Sequence, residues 1–218
     1  MLGNLDLATL IARGLVLLVA FTIHELAHAV TADRMGDPTP RNMGRITLNP
    51  LKHLDPIGTI ALLLVGFGWA KPVMVNPNNL KGNPRTSMAI VAGAGPLSNV
   101  VMAVIGSVPF WLGLVDFTFR SSNDMFPSPD YLLSQFVWLN VVLAIFNLIP
   151  IPPLDGFKIL MGILPPDISY QMRPIERYGP MILMAVIFIL PMMGIDVIYY
   201  LVWLPASTIT QTLVSIGL

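Results

Sequence analysis

Phe21-Thr22-Ile23-His24-Glu25-Leu26-Ala27-His28-Ala29 carries two of the chain's three histidines, four residues apart, with a glutamate directly after the first. On a helix this spacing puts both imidazoles on one face, a turn apart, where both can reach one metal ion. Glu25 falls beside that face, within reach of a water held on the metal, where a general base has to stand. From Leu7 to Val30 the residues are mostly Leu, Ala, Val and Ile. The three polar side chains therefore lie at membrane depth, where an unpartnered ionisable group is costly and a cluster marks a functional site. A lone histidine on an apolar helix is commonly a hydrogen-bonded core residue; two with a glutamate on one turn have no evident packing role.

Composition agrees with a membrane setting. Of 218 residues 55% are hydrophobic and only 11% charged, with a mean hydropathy of +0.73, whereas soluble domains carry about 25% charged residues. Zero net charge gives no argument for nucleic acid or for a polybasic membrane patch. Cysteine is absent, which excludes disulfides and thiolate sites, so a metal must use imidazole, carboxylate or water, with Zn2+ the first choice. The opening Met1-Leu2-Gly3-Asn4-Leu5-Asp6 lacks a basic n-region, and the apolar run behind it is too long for a cleaved signal, so it reads as a retained span. No internal repeat or soluble insert interrupts the chain, which reads as one integral membrane domain over 1–218.

The expected architecture is an all-α, polytopic transmembrane helix bundle of four full spans, with a re-entrant segment and a short β-hairpin at membrane depth. Leu7 to Thr31 is the first span. The loop from Asp33 to Asp55 holds Arg34, Arg41, Arg45 and Lys52, which places it in the cytoplasm and the amino terminus outside. Pro56 to Ala70 falls short of the ~20 residues a span needs, and its far flank again carries Lys71, Lys81 and Arg85. A re-entrant segment followed by an extended hairpin, Trp69 to Pro77, fits both flanks; a short tilted span is the alternative. Ser87 to Val115 is the second span, with Ala92-Gly93-Ala94-Gly95-Pro96-Leu97-Ser98-Asn99 inside it. Its glycines read as helix packing, and Asn99 needs a partner that the sequence does not name. Tyr131 to Ile149 returns to the cytoplasmic side and breaks at Pro150-Ile151-Pro152-Pro153-Leu154-Asp155-Gly156. A short amphipathic stretch, Phe157 to Leu164, closes a catalytic core of about 7–164. A last span runs near 180–204, and the apolar tail to Leu218 is placed on or in the external interface.

This topology puts His24, His28 and Asp155 in the same, cytoplasmic, half of the membrane. Two histidines and one carboxylate make the three protein ligands of a catalytic zinc, leaving the fourth position for water. The HELAH of the first span, the AGPLSN of the second and Asn147-Leu148-Ile149-Pro150-Ile151-Pro152-Pro153-Leu154-Asp155-Gly156 together resemble the site-2 protease family of intramembrane zinc metalloproteases. The likeness runs from about Phe21 to Gly156. His53-Leu54-Asp55-Pro56-Ile57-Gly58-Thr59 and Gly68-Trp69-Ala70-Lys71-Pro72-Val73 are similar to the small bacterial and archaeal members.

The resemblance implies one zinc on His24, His28 and Asp155, Glu25 as the base, and Asn147 and Asn140 against the substrate strand or the developing oxyanion. The hairpin around Lys71 to Asn76 resembles the edge strand that pairs with an unwound substrate. Implied partners are single-span membrane proteins or signal-peptide remnants in a lipid bilayer, with the active site in the cytoplasmic half of a cell membrane. Oligomeric state is not legible. The larger members' PDZ and nucleotide-sensing domains have no counterpart, which leaves size-filtering and external regulation without support. His53 has two readings, a gate or inhibitory fourth ligand, or an interfacial residue capping Asp55-Pro56; the second is preferred. Two other classes remain. A metal transporter needs ionisable groups across both leaflets, and the outer halves of these spans hold almost none beyond Arg13. A silent scaffold needs no Glu25.

Overall fold

The computed structural model describes residues 6–58, 68–121 and 125–216. Its main helices are α1 (Leu7–Arg34), α2 (Pro84–Trp111), α3 (Pro129–Asn147), α4 (Asp155–Ile163), α5 (Pro166–Met172), α6 (Ile175–Met192) and α7 (Leu204–Ser215). Among the described residues α1, α2, α3 and α6 are long and apolar enough to cross a membrane.

Helix α1 starts where the Asp6 carboxylate accepts the Thr9 N–H at 2.6 Å, satisfying a donor the first turn leaves orphaned. It ends at Gly36 (φ 106°), with Gly36 N–H on Asp33 C=O and Asp37 N–H on Ala32 C=O, the paired closure that a left-handed residue allows. Between these ends Ala8, Ala12, Val16, Ala20, His24, His28 and Ala32 are all buried. Every fourth position thus forms one ridge, mostly of alanine, that lets α2 and α3 approach closely. Both histidines belong to this ridge, so the packing that seats α1 also aims them inward.

Helix α2 is the hub and packs on α1, α3, α4 and α7. Ala103 and Phe110 of α2 meet Val137 and Val141 of α3 and Ala206 of α7 in one core cluster. A side chain at Gly106 would come within 2.7 Å of the Phe136 ring, so the α2–α3 crossing depends on that residue having none. The opposite edge of α2, with Ile90, Leu97, Val101 and Ile105, is exposed and apolar, as a lipid-facing surface requires.

Three expectations change. The hairpin around Lys71 to Asn76 is absent: no strand forms among the described residues, whose one β-type pairing is the bridge Leu54–Ala70. Pro72 and Pro77 remove ladder donors. The backbone there bonds side chains instead, Val73 N–H donating to Glu25 and Asn76 N–H to Asp37. Secondly, the span placed at 180–204 is two helices, because Gly194 (φ 80°) closes α6 and Asp196, accepting the Tyr199 N–H at 2.9 Å, caps the helical stretch that passes through Tyr199–Trp203 into α7. Finally, the tail after Leu204 packs into the bundle as α7, with Ala206 and Thr210 fully buried.

Most of the proposed re-entrant segment, residues 59–67, lies outside the described residues. Its two ends meet, since Lys71 N–H donates to His53 C=O at 2.8 Å beside the Leu54–Ala70 bridge.

Candidate metal centre

His24, His28 and Asp155 converge where the second half of α1 meets the first turn of α4. His24 Nε2 and His28 Nε2 are 3.0 Å apart, and each is 3.1 Å from Asp155 Oδ2. All three residues are buried. The backbone brings Asp155 there through the proline-rich turn after α3. At Gly156 a Cβ would lie 2.2 Å from the Leu148 carbonyl oxygen, so the turn folds back on α3 only because that residue is glycine. Arg85 of α2 holds the far end of α4, donating to the carbonyls of Met161 and Leu164.

The protons on the two rings follow from their outer partners. His28 Nδ1 faces the Val91 carbonyl at 2.8 Å; a carbonyl only accepts, so Nδ1 carries the hydrogen and Nε2 presents a lone pair. His24 resolves through a longer chain. The Phe136 carbonyl accepts from Asn140 Nδ2 (2.9 Å), which turns Asn140 Oδ1 towards Asn99 Nδ2 (2.9 Å), which in turn points Asn99 Oδ1 at His24 Nδ1 (2.6 Å). One backbone carbonyl thereby fixes His24 as an Nδ1–H donor. Two lone pairs and a carboxylate oxygen then face one another with no donor between them, an arrangement that demands a cation.

Glu25 lies beside the triad, also buried. Its Oε2 accepts the Val73 N–H at 2.9 Å and lies 3.7 Å from Arg45 Nη2. Gly95 forms the wall opposite: a Cβ there would be 2.4 Å from His28 Nε2 and 2.5 Å from His24 Nε2.

The other sequence candidates stand apart. Asn140 is fully buried with both ends of its amide engaged, so the structure puts it behind His24, two hydrogen bonds from the triad. Asn147 donates to Leu143 of its own helix at 3.0 Å. His53 is not in the metal-holding group; it is fully buried, with Nε2 2.9 Å from the Thr47 carbonyl, and it ends the turn Pro50–Lys52. The cap on Gly58 N–H comes from Asp55 itself, at 2.9 Å. Asn99, Gly95 and Arg45 were not singled out by spacing. The signal for the first two was their place in AGPLSN, a polar residue and a small one on a face that had to meet the histidines.

The donor set fits zinc. Ligand bonds of about 2.0–2.2 Å in tetrahedral geometry set ligand atoms roughly 3.3–3.6 Å apart, a few tenths of an ångström beyond the separations found here. Neutral imidazoles and a carboxylate with outer hydrogen bonds suit a borderline divalent ion.

The comparisons with known proteins agree. Residues 111–193 match the model of peptidase family M50, a stretch that includes Asp155. "Putative zinc metalloprotease YwhC" of Bacillus subtilis is 45% identical over 177 residues, covering 81% of this chain and 79% of that one. "Putative zinc metalloprotease Rip2" of Mycolicibacterium smegmatis is 30% identical over 208 residues, covering 92% and 75%. Its namesake in Mycobacterium tuberculosis H37Rv is 26% identical over 193 residues, covering 84% and 70%. No solved structure matches the chain.

Proposed function

The chain belongs to peptidase family M50, the site-2 protease family, and is a multi-pass membrane zinc metallopeptidase; from that premise we propose that it hydrolyses peptide bonds in or beside the membrane-spanning segments of other proteins, with Glu25 as general base. The observation that carries this reading is the buried triangle of acceptors at His24, His28 and Asp155, with a carboxylate one residue along α1 that is not part of it.

When bound, zinc supplies the electrophile, polarising the scissile carbonyl and lowering the pKa of a water towards roughly 7. His24, His28 and Asp155 would hold it, and the bonds that the two rings donate to Asn99 Oδ1 and the Val91 carbonyl keep them in the binding tautomer. Glu25 takes the attacking water's proton on its carboxylate and returns it to the leaving amine nitrogen. A substrate helix has to unwind first, because a helical carbonyl is bonded and covered. The Lys71–Asn76 segment, joined to Glu25 through the Val73 N–H, supports a place for the unwound strand. Met74 is 60% exposed, and among the described residues its backbone N–H and C=O have no partner, which suits pairing by β-augmentation. Single-span proteins and signal-peptide remnants are the substrates of the right chemistry. The cations Arg34, Lys52, Lys71 and Arg85 favour a cytoplasmic site with the amino terminus outside.

Glu25→Gln tests the base. The variant purified in detergent retains zinc and loses cleavage of a single-span substrate by at least about 100-fold. Cleavage at the wild-type rate removes Glu25 from the mechanism.

A further inference from the structure

Arg45 has no assigned role, yet it is the one buried lysine or arginine among the described residues. It is 3% exposed. Its Nη2 donates to the Lys71 carbonyl and lies 3.7 Å from Glu25 Oε2, and that same oxygen accepts the Val73 N–H at 2.9 Å. The contacts close a circuit from Glu25 through Val73, Pro72 and Lys71 to Arg45 and back to Glu25. Backbone geometry aims the side chain into it: Gly44 (φ 65°) turns the chain, and Arg45 N–H is held by the Pro40 carbonyl at 2.9 Å.

Burying a guanidinium is costly, and a buried ion pair is weak evidence for stability. This one is also incompletely partnered, with Nε making no hydrogen bond. Neutralising Glu25 alone would not need the Lys71 carbonyl, and anchoring the segment alone would not need a carboxylate. Doing both calls for a cation whose terminal nitrogen reaches the two oxygens at once, as Nη2 does here, and the lysine side chain, one bond shorter, does not extend as far.

We infer that Arg45 is a positioning residue that locks the Glu25 carboxylate and the Lys71–Asn76 segment into one unit, setting the base in register with the peptide bond docked on that segment. The inference rests on the reading of Glu25 as base. Displacing a reacting group by about 1 Å costs of the order of 100-fold, so a register device acts on turnover more than on affinity.

The test compares Arg45→Lys and Arg45→Gln with Glu25→Gln and wild type, reading zinc per chain, kcat and KM on one single-span substrate, and amide hydrogen exchange over 71–75. Both Arg45 variants are expected to keep zinc and lose kcat by about 100-fold. Their KM should change less than about threefold, while Val73 exchange rises. Wild-type kcat in zinc-loaded Arg45 variants, with Glu25→Gln inactive, overturns this inference alone. Activity in Glu25→Gln overturns the base reading instead. Loss of zinc or of fold in both Arg45 variants also overturns it, making the residue a structural counter-ion.

Discussion

Behind each histidine stands a neutral acceptor, and at the scale of single residues these acceptors carry the preorganisation of the centre. Asn99 keeps the His24 proton on Nδ1, so Asn99→Ala should lower zinc affinity about 10–100-fold, measured by chelator competition. Gly95→Ala should do more, because its methyl would lie 2.4–2.5 Å from both Nε2 atoms. The expected outcome is a folded protein, by circular dichroism, with little bound zinc; full zinc content would mean that α2 shifts to make room. The group that the structure brings together, His24, His28 and Asp155, could be read from the sequence, because spacing pairs the two histidines and topology with the family resemblance adds the aspartate. Asn99 and Gly95 show in the sequence only as a polar and a small residue on one span, since their roles exist only once α1 and α2 are packed. The resemblance sets Asn140 against the substrate strand or the oxyanion, but whether such a residue faces a substrate or another amide is decided by a neighbour 41 positions away.

Among the elements, the segment after α1 is organised by one carboxylate. Asp37 is fully buried and accepts from Thr39 N–H (3.1 Å) and Oγ1 (2.6 Å), Asn76 N–H (2.7 Å) and Asn79 Nδ2 (2.9 Å). It thereby ties the end of α1 to the segment over Glu25. Burial alone would raise its pKa, but the donors from Thr39, Asn79 and Asn76 outweigh that and hold it below the ordinary carboxylate value. A depressed folded pKa gives stability that is complete above the unfolded value of about 3.9 and fades as the pH falls through the folded one. Asp37→Asn should therefore be less stable by about 1–3 kcal/mol at pH 7, and the gap should close in strong acid, as read by thermal unfolding in detergent. The apolar spans were legible through their length. The break inside the last one was not, because hydropathy runs on through it; its signal was Gly194 followed by Asp196, a helix stop and an N-cap two residues apart.

For the whole molecule, the four candidate spans found among the described residues leave the sidedness of the centre as the main proposal. The absence of cysteine makes single-cysteine labelling clean. Lys52→Cys should react only with a reagent that reaches the cytoplasm, and Arg120→Cys, between α2 and α3, only from outside; the reverse pattern would invert the topology. The central claim is that residues 127 and 131 positions apart form one zinc site, and it is tested most directly by zinc content in chelator-free, detergent-purified protein with and without Asp155→Ala. About one zinc per chain in the wild type, largely lost in the variant, is the predicted result. Zinc retained in full by Asp155→Ala would contradict it.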